Sequence, residues 1–369
     1  MTEPRSTTLR DRHEALGAAF TDFGGWLMPV RYSSDLAEHR AVREAAGLFD
    51  ISHMAEFTVD GDDAGAFLDY ALAGRLSTLP LGKAKYSLVL ADSGGIVDDV
   101  IVYRLEETRF LVIANAGNRA AVAEAFAERA EGFDVAVTDV TDDYALVAVQ
   151  GPAARGILEA TAGITGLDRP LADLPYYAAT RGEFESAPLL VARTGYTGED
   201  GFELLVPHTV AGALWDALLA AGEPFGLVPA GLAARDTLRL EAGMPLYGHE
   251  LSLDMVPAQA GLGRVVAVDK DAFVGKSGLG AVVAGSAPVL VGLVGEGKRA
   301  GRAGYVVYDG DDAVGEITSG ALSPTLGHPI AMAFVAPAAA AVGTTLTIDV
   351  RGTRLPVTVT ALPFYRRAQ

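Results

Sequence analysis

Hydrophobic and polar positions divide most of the chain into alternating strands and helices. Residues 110–115 (FLVIAN) and 144–150 (YALVAVQ) are short, continuously apolar runs, which predict buried strands. Residues 119–132 repeat apolar positions at helical spacing and end at a glycine, a common helix stop. Helices are also predicted over 208–222 and 231–243. Mixed strands and helices with hairpin-like spacings indicate the α+β class rather than a doubly wound sheet.

A different pattern begins near residue 285. Beyond it the chain consists of short apolar segments separated by polar turns such as "DGDD" and "RGT", with no long helix. Strands at this spacing are typical of a small all-β barrel or sandwich. The segment "AGSAP" (284–288) has the composition of a linker. The sequence therefore predicts a first region over residues 1–284 and a C-terminal β-barrel domain over 285–369.

Length, charge and cysteine content exclude several classes of protein. One core rarely grows beyond about 250–300 residues, so a chain of 369 residues predicts more than one domain. The net charge of -18 argues against general binding to nucleic acid or to anionic membranes. Because there is no cysteine, disulfides, thiolate metal sites and a cysteine nucleophile are excluded.

The first residues of the sequence bear on the location of the protein, and the spacing of its histidines bears on metal binding. The segment "MTEPRSTTLRDRHEALG" is polar and mixed in charge, unlike a signal peptide, and no apolar run is long enough to span a bilayer. We therefore expect a cytoplasmic protein without a membrane partner. The six histidines show no metal-ligand spacing, so no metal site is predicted.

Two adjacent aspartates stand inside the apolar segment "GGIVDDVIVY" (94–103). Because side chains alternate across a strand, Asp99 falls on the same face as Tyr103, and Asp98 on the opposite face. A carboxylate in such a run is costly to bury without partners. Two interpretations remain open. The aspartates are solvated at a strand end, or Asp99 lies with Tyr103 in a pocket and acts as a base or charge stabiliser.

The segment "RTGYTGEDGFELLV" (193–206) contains glycine at positions 195, 198 and 201. A plain hairpin needs one turn glycine, so the surplus indicates backbone packed close to another group. Strand-like flanks predict a hairpin that brings Tyr196 near Glu203. Glu203 interrupts an otherwise apolar strand, which suggests a buried partner. A surface hairpin is the alternative.

Arg235 and Arg239 are four residues apart in "GLAARDTLRLEAG" (231–243) and share one helix face. The pair fits either a salt-bridged surface helix or an anion site for a carboxylate or phosphate. In "DISHM", Ser52 stands next to His53, but adjacency does not make a catalytic dyad. The glycine-rich segments match neither a P-loop nor a dinucleotide fingerprint, so phosphate-cradling nucleotide chemistry is not expected.

An ordered set of motifs resembles the aminomethyltransferases, or T proteins, of the glycine cleavage system. The matching segments are "FGGWLMPVRY" (23–32), "GLFDISHM" (47–54), "GKAKYS" (82–87), "GGIVDDVIVY" (94–103), "VQGP" (149–152), "RTGYTGEDGFEL" (193–204), "GLAARDTLRLEAGMPLYGHE" (231–250), "GEITSGALSPTLGHPIA" (315–331) and "PFYRR" (363–367). One such motif alone is weak support. The ordered set covers essentially the whole chain and is highly specific.

The resemblance implies three domains in a cloverleaf around a central folate channel, the last of them a β-barrel. It divides the first region into two α+β lobes, approximately 1–54 plus 141–284, and 55–140. It also implies that the methylene of an aminomethyl group passes from the lipoyl arm of H protein to tetrahydrofolate. The products are 5,10-methylenetetrahydrofolate, ammonia and the dihydrolipoyl arm.

Two related functions are the alternatives. One is a tetrahydrofolate-dependent demethylase with the same fold and a different methyl donor. The other is a non-enzymatic folate-binding protein of the same superfamily, whose branch carries a cysteine in its signature motif. This chain has no cysteine, which argues against the second alternative.

Roles carry over to the residues that match the motifs. Asp99 resembles the catalytic carboxylate beside the reacting folate nitrogens, on the face that strand alternation selects. Tyr196 and Glu203 match contacts to the pterin ring, and the hairpin glycines are expected to let the backbone lie close to that ring. The other matched folate-pocket residues are Met54, Tyr86, Tyr103, Asn115, Arg235 and Arg366. Arg264 and the segment "GHELSLD" (248–254) depart from the family pattern.

Overall fold

Seven α-helices and twenty β-strands lie in the part of the chain that the computed structural model describes, residues 3–280 and 287–367. The helices are α1 (Arg10–Ala15), α2 (Asp35–Glu44), α3 (Ala64–Ala71), α4 (Arg119–Arg129), α5 (Ala154–Ala160), α6 (His208–Gly222) and α7 (Leu232–Glu241). None of the helices in these two ranges is long and apolar enough to cross a membrane.

The strands fall into two series along the sequence. The first series is β1 (Ala19–Phe23), β2 (Trp26–Arg31), β3 (Ala46–Asp50), β4 (Ala55–Asp60), β5 (Ala84–Leu90), β6 (Ile96–Glu106), β7 (Arg109–Ala114), β8 (Ala136–Asp139), β9 (Tyr144–Gln150), β10 (Ile164–Thr165), β11 (Ala179–Phe184), β12 (Ala187–Ala192), β13 (Gly201–Pro207) and β14 (Leu227–Pro229). The second series is β15 (Val289–Gly295), β16 (Val306–Asp309), β17 (Asp312–Leu322), β18 (Pro329–Val335), β19 (Thr345–Val350) and β20 (Thr353–Thr360).

These strands assemble into four arrangements. β1 and β2 form a two-stranded sheet, and a seven-stranded sheet has the order β10-β11-β12-β13-β9-β3-β14. A five-stranded sheet has the order β5-β6-β7-β4-β8, and the last six strands close a barrel in the order β15-β18-β17-β16-β19-β20. The predicted α+β class with a C-terminal all-β barrel is confirmed. β15 pairs with both β18 and β20, which excludes the sandwich alternative.

Two compact units divide the chain, and each is assembled from separate segments. The first unit is Met1–Leu68, Leu76–Tyr86 and Val100–Asp236. The second unit is Asp69–Arg75, Ser87–Asp99 and Thr237–Gln369. β5, β6 and α7 each pass from one unit to the other. The proposed division at residues 284 and 285, with two lobes before it, remains a prediction, and residues 281–286 lie outside the described ranges.

The core of the first unit forms where α5 and α6 pack on the seven-stranded sheet. The apolar spacing of α6 buries Leu214, Trp215 and Leu218 in this core. Alternate residues of β13, Phe202 and Leu204 among them, point into the same core. Because side chains alternate along a strand, the odd-numbered residues of β13 face the opposite side of the sheet.

The core of the second unit includes the interior of the barrel. In β15, β19 and β20, alternate residues point inward, as in other small barrels. The inward residues include Val291 and Leu293 of β15, Leu346 and Ile348 of β19, and Val357 and Val359 of β20. The barrel is therefore filled by aliphatic side chains of moderate size.

Glu56, on β4 of the first unit, is a fully buried carboxyl group. Neither of its carboxyl oxygens has a hydrogen-bond partner among the described residues. Burial raises its pKa well above the ordinary value, the charges of Asp139 and Asp142 raise it further, and Arg119 lowers it. A buried carboxyl group without partners favours its neutral form, because the charged form loses its hydration.

This burial predicts a pH-dependent stability. A carboxyl group whose pKa is raised in the folded state contributes fully to the free energy of unfolding at pH values below its unfolded pKa. That contribution is lost as the pH rises toward the folded-state pKa. Glu56→Gln, which is neutral at every pH, is therefore expected to raise the free energy of unfolding at pH 8 by about 1 kcal/mol or more, with a smaller gain at pH 5. Urea denaturation at the two pH values measures the difference.

Glu38 provides the matched control for this prediction. It is equally buried, but its Oε1 accepts hydrogen bonds at 2.8 Å from the backbone of Tyr32 and Ser33, and its Oε2 accepts one at 2.9 Å from Gly231. Glu38→Gln is expected to destabilise the protein at pH 8, because the amide nitrogen that replaces one oxygen cannot accept a hydrogen bond from the backbone N–H groups. A loss of stability at pH 8 in Glu56→Gln as well would contradict the neutral state inferred for Glu56.

Candidate active site

Glu203 is the centre of a polar cluster in the first unit. Thr194 donates a hydrogen bond from Oγ1 to Glu203 Oε2 at 2.5 Å, and the Tyr103 hydroxyl donates to the same oxygen at 3.4 Å. The two hydroxyl oxygens are 3.0 Å apart. Burial raises the pKa of Glu203, whereas Thr194, Arg235 and Tyr103 lower it. The buried partner predicted for Glu203 is thereby confirmed, although Thr194 was not among the predicted site residues.

Arg235 joins Tyr196 to this cluster. Its Cζ atom lies 4.3 Å from the centre of the Tyr196 ring, which is a cation–π geometry. Its positive charge also acts on Glu203, where it lowers the pKa of the carboxyl group. The hairpin therefore brings Tyr196 to the same polar cluster as Glu203, with the guanidinium of Arg235 as their shared neighbour.

The position of Arg235 is set by the way α7 begins. The backbone N–H of Gly231 donates to Glu38 Oε2 at 2.9 Å, and the N–H of Arg235 donates to the Gly231 carbonyl at 3.1 Å. A Cβ atom at position 231 would stand 2.5 Å from the backbone of Val30, so only glycine fits. A buried glutamate and a close backbone contact thus fix the first turn of the helix that carries Arg235.

The structural requirement for glycine in the hairpin differs from the predicted one. Gly198 has a φ of +81°, which suits the turn. A Cβ atom at Gly195 would overlap with the side-chain amide of Gln150, and one at Gly201 would stand 2.5 Å from its Nε2. The expectation that the surplus glycines make room for a pterin ring is therefore wrong for these two positions, because a protein side chain fills that space.

Three further predicted pocket residues lie at the ends or edges of strands in the first unit. β4 and β7 are antiparallel, and Ala55 pairs with Ala114. Met54 precedes the first of these residues and Asn115 follows the second, so the strand register places Met54 and Asn115 side by side. Tyr86 lies on β5, and all three side chains are half-buried. Their contact with folate remains a prediction.

Ser52 and His53 do not form a catalytic dyad. The Ser52 hydroxyl donates to the Leu146 carbonyl at 3.1 Å. His53 is buried, and within residues 3–280 and 287–367 neither ring nitrogen has a hydrogen-bond partner. Burial and the charge of Arg235 lower the pKa of His53 to about 3, against a weaker opposing effect of Asp50. The imidazole is therefore neutral at physiological pH.

The two aspartates of β6 differ in burial as the alternation predicts. Asp98 is 0% exposed, and Ile96 and Val100 on the same face are buried with it. Asp99 is partly exposed on the other face. The interpretation of both residues as solvated at a strand end is therefore wrong for Asp98. The role of Asp99 as the reacting carboxylate remains a prediction.

The start of β6 is held tightly in the second unit. The N–H of Ile96 donates to the carbonyl groups of Ser252 and Met255, at 3.0 Å and 3.1 Å. A Cβ atom at Gly95 would overlap with the Leu253 carbonyl, and Gly94 has a φ of +85°. Gly95 thus lets the loop that contains Leu253 close over the chain three residues before Asp98.

Tyr247 is a neighbour of these aspartates that the sequence did not reveal. Burial raises the pKa of its phenol, and the charges of Asp98, Asp99 and Asp254 raise it further. All four residues belong to the second unit. The one available signal was that Tyr247 lies within the matched segment 231–250.

The arginines of α7 and of the C-terminus have unequal environments. Arg239 is buried, with Nη1 3.0 Å from Glu250 Oε2 and Nη2 donating to the Ser319 hydroxyl at 2.8 Å. Arg239 is therefore salt-bridged, as one interpretation predicts, but it is buried rather than on the surface, and its guanidinium binds protein groups. Arg366 is exposed and reachable by a solute, whereas Arg367 is half-buried.

Comparisons with known proteins agree over the whole chain. Residues 9–270 match the GCVT N-terminal domain, and residues 289–366 match the glycine cleavage T-protein C-terminal barrel domain. An aminomethyltransferase of Cutibacterium acnes is 57% identical over 100% of both chains. One of Streptomyces avermitilis is 55% identical over 99% of this chain and 98% of its own.

A solved structure has the same fold. The glycine cleavage system aminomethyltransferase T from Bartonella henselae superimposes with a TM-score of 0.91 at 36% identity, over 98% of each chain. The relatives and the solved structure that share this α+β region and closed barrel are aminomethyltransferases, a class of group-transfer enzymes. The chain belongs to the glycine cleavage T-protein family and is an aminomethyltransferase of the glycine cleavage system. The resemblance seen in the motifs is confirmed.

Proposed function

We propose that this aminomethyltransferase takes its group from the lipoyl arm of H protein and delivers the methylene to tetrahydrofolate. The C–S and C–N bonds of the S-aminomethyl group break, and the carbon forms bonds to N5 and N10 of the folate. The two protons that leave N5 and N10 end on the amine and on the sulfur. The products are 5,10-methylenetetrahydrofolate, ammonia and the dihydrolipoyl arm, with no net oxidation.

The observation that carries the folate proposal is the environment of Glu203. Thr194 and Tyr103 both donate to Oε2, and neither donates to Oε1. A pterin ring presents an amino group and a ring N–H side by side, and a single carboxylate oxygen can accept a hydrogen bond from either of them. Glu203 is thus oriented by the protein through one oxygen and can accept from the ring through the other. The aromatic ring of Tyr196, backed by Arg235, gives the cluster a flat apolar surface.

Asp99 is the residue that we assign to the reacting nitrogens. Its face of β6 is partly exposed, so a ligand can approach the carboxylate. A carboxylate there stabilises the positive charge that develops on carbon and nitrogen as ammonia leaves. Binding both reactants in one geometry contributes about 7–11 kcal/mol in favourable cases, so positioning accounts for much of the proposed acceleration. The remaining folate contacts assigned from the family are Met54, Tyr86, Asn115 and Arg366.

The proposed reaction is tested by product analysis. Purified protein is mixed with aminomethyl-loaded lipoyl H protein, with and without tetrahydrofolate. We expect stoichiometric ammonia and 5,10-methylenetetrahydrofolate only in the complete mixture. A second assay supplies a methylated donor in place of H protein. Formation of 5-methyltetrahydrofolate there, with no product from aminomethyl-loaded H protein, would instead support the demethylase alternative. A cytoplasmic location remains a prediction, to be tested by fractionation.

Arg366→Ala is expected to raise the half-saturating tetrahydrofolate concentration, or to lower turnover, by at least about tenfold, near 1.4 kcal/mol. The exposed guanidinium is proposed to meet an anionic group of the folate, for which its planar fork is suited. Steady-state kinetics over a range of tetrahydrofolate concentrations measure the effect.

Arg367→Ala is the adjacent control. Because Arg367 is the less exposed of the two, its loss is expected to lower stability and to change the half-saturating concentration by less than about threefold. Thermal unfolding of both variants separates the two effects. A folded Arg366→Ala enzyme with normal kinetics would remove this residue from the folate site.

A further inference from the structure

Gln150 is a buried polar side chain at the end of β9, next to the hairpin loop. It is 1% exposed, and its backbone pairs with Gly201 on one side and Gly47 on the other. Its position in the sheet therefore fixes where the side-chain amide can reach. The overlap that a Cβ atom would make at Gly195 and at Gly201 shows that the loop closes directly on this amide.

Both ends of the amide bind the loop. Nε2 donates to the Thr194 carbonyl at 3.1 Å, and Oε1 accepts from the Thr197 hydroxyl at 3.0 Å. The Thr197 hydroxyl oxygen in turn accepts from the N–H of Glu199 at 3.3 Å. Because the side chain of Gln150 is buried, losing it leaves a carbonyl and a hydroxyl without these partners, which typically costs about 1–3 kcal/mol per group.

The two bonded residues bracket the proposed pterin contacts. Thr194 stands two positions before Tyr196, and Thr197 stands one position after it. The hydroxyl of Thr194 is also the group that donates to Glu203 at 2.5 Å. The amide of Gln150 therefore fixes the backbone on both sides of Tyr196. It also fixes the position of Thr194, the residue that orients Glu203.

Other contacts brace the outside of the same loop. Arg43 Nη1 donates to the Thr197 carbonyl and to Glu199 Oε1, each at 2.8 Å. Arg193 pairs with Asp200 through two hydrogen bonds, at 2.9 Å and 2.7 Å. These ion pairs tie the loop near its tip and at its ends. Of these side chains, Gln150 is the one that binds the Thr194 carbonyl.

We propose that Gln150 is a positioning residue for folate recognition, which holds Tyr196 and Glu203 in the geometry that receives the pterin ring. This inference rests on the proposed function. It predicts that losing the amide weakens binding of tetrahydrofolate more than it slows the chemical step. It also explains why the loop contains glycine at two positions that need no unusual backbone angle, since any side chain there would displace the amide.

Gln150→Met tests the proposal, because it removes both hydrogen bonds and keeps a side chain of similar length. We expect KM for tetrahydrofolate to rise at least about tenfold and kcat to change less than about threefold. A second pair of variants changes Thr197, whose hydroxyl donates to the amide oxygen of Gln150. Thr197→Val is expected to raise KM several-fold, and Thr197→Ser, which keeps the hydroxyl, to restore the wild-type value.

Gln259 offers a matched control in the second unit. It is also a buried glutamine whose amide joins two backbone groups, with Oε1 accepting from Val256 N and Nε2 donating to the Pro288 carbonyl, both at 3.1 Å. Gln259→Met is expected to lower stability to a similar degree and to leave KM within about twofold of wild type. An equal rise of KM in both variants would show a general loss of stability and overturn the proposal.

Amide hydrogen exchange in the ligand-free protein separates this inference from the proposed function. We expect exchange across residues 194–203 to accelerate at least about tenfold in Gln150→Met and to stay unchanged in Gln259→Met. If wild-type protein fails to bind tetrahydrofolate, the proposed function is wrong, and the exchange result still decides whether Gln150 orders the loop. Unchanged exchange in a folded Gln150→Met variant, or a normal KM, would refute the positioning role.

Discussion

Asp99→Asn is expected to lower the turnover number by about 10²-fold or more and to change tetrahydrofolate affinity much less. The amide keeps the shape of the side chain but removes its negative charge. In our proposal that negative charge stabilises the positive charge that develops as ammonia leaves. Asp99 lies on the partly exposed face of β6, where a ligand can approach it. Single-turnover kinetics with saturating tetrahydrofolate measure the chemical step directly, and a calorimetric titration measures the affinity.

Asp98→Asn is the adjacent control, with the same chemical change one residue away. Asp98 is 0% exposed on the core face of the strand, so its substitution alters a buried charged group and is expected to cost stability, roughly 1–3 kcal/mol. Most of the turnover of the folded fraction is expected to remain. If both variants fold and lose turnover equally, the assignment of the reacting carboxylate to one face of β6 is wrong.

Glu203→Gln is expected to weaken tetrahydrofolate binding by about 1.5–3 kcal/mol, the scale of a hydrogen bond to a charged group. The amide oxygen can still accept from Thr194 and Tyr103, so the amide nitrogen is turned toward the ligand. A donor then faces the donors of the pterin ring, and one accepted hydrogen bond becomes a repulsive contact. Isothermal titration at constant pH gives the change in affinity.

Glu56→Gln serves as the control for this substitution. Glu56 also carries a carboxyl group on a strand of the first unit, but its side chain is fully buried and neither carboxyl oxygen has a hydrogen-bond partner among the described residues. Its replacement is expected to change stability with pH and to leave tetrahydrofolate affinity unchanged. Equal losses of affinity in Glu56→Gln and Glu203→Gln, or unchanged affinity in Glu203→Gln, would remove Glu203 from the proposed pterin site.

Elements with strong periodicity were predictable from the sequence. The strand predicted over 144–150 and the helix predicted over 208–222 have the bounds seen in the structure, because a continuous apolar run and a long helical spacing leave few alternatives. The six short strands after residue 285 were equally clear. Local pattern also assigned Asp98 and Asp99 to opposite faces, since strand alternation needs no knowledge of the rest of the fold.

Contacts between distant parts of the chain were not predictable in this way. The hairpin glycines were attributed to a ligand because Gln150, which fills the space beside them, lies 47 residues from Thr197. Arg239 looked like half of a surface pair, but its partner Ser319 is 80 residues away and their contact buries the charge. Tyr247 entered the candidate site for the same reason, through Asp98 and Asp99, which are far from it in sequence. Thr194 is different, because it lies nine residues from Glu203 across the predicted hairpin and was missed despite that prediction.

The closed barrel limits the ways in which other chains can associate with it. β15 pairs with β18 over residues 289–294 and with β20 over residues 292–295, so the order of the six strands closes on itself. Proteins often recruit an extended peptide, or aggregate, by adding a strand to such an edge. This route is closed where a barrel strand is paired on both sides, as it is at residues 292–294 of β15. The same closure protects the domain from edge-to-edge polymerisation when it is concentrated.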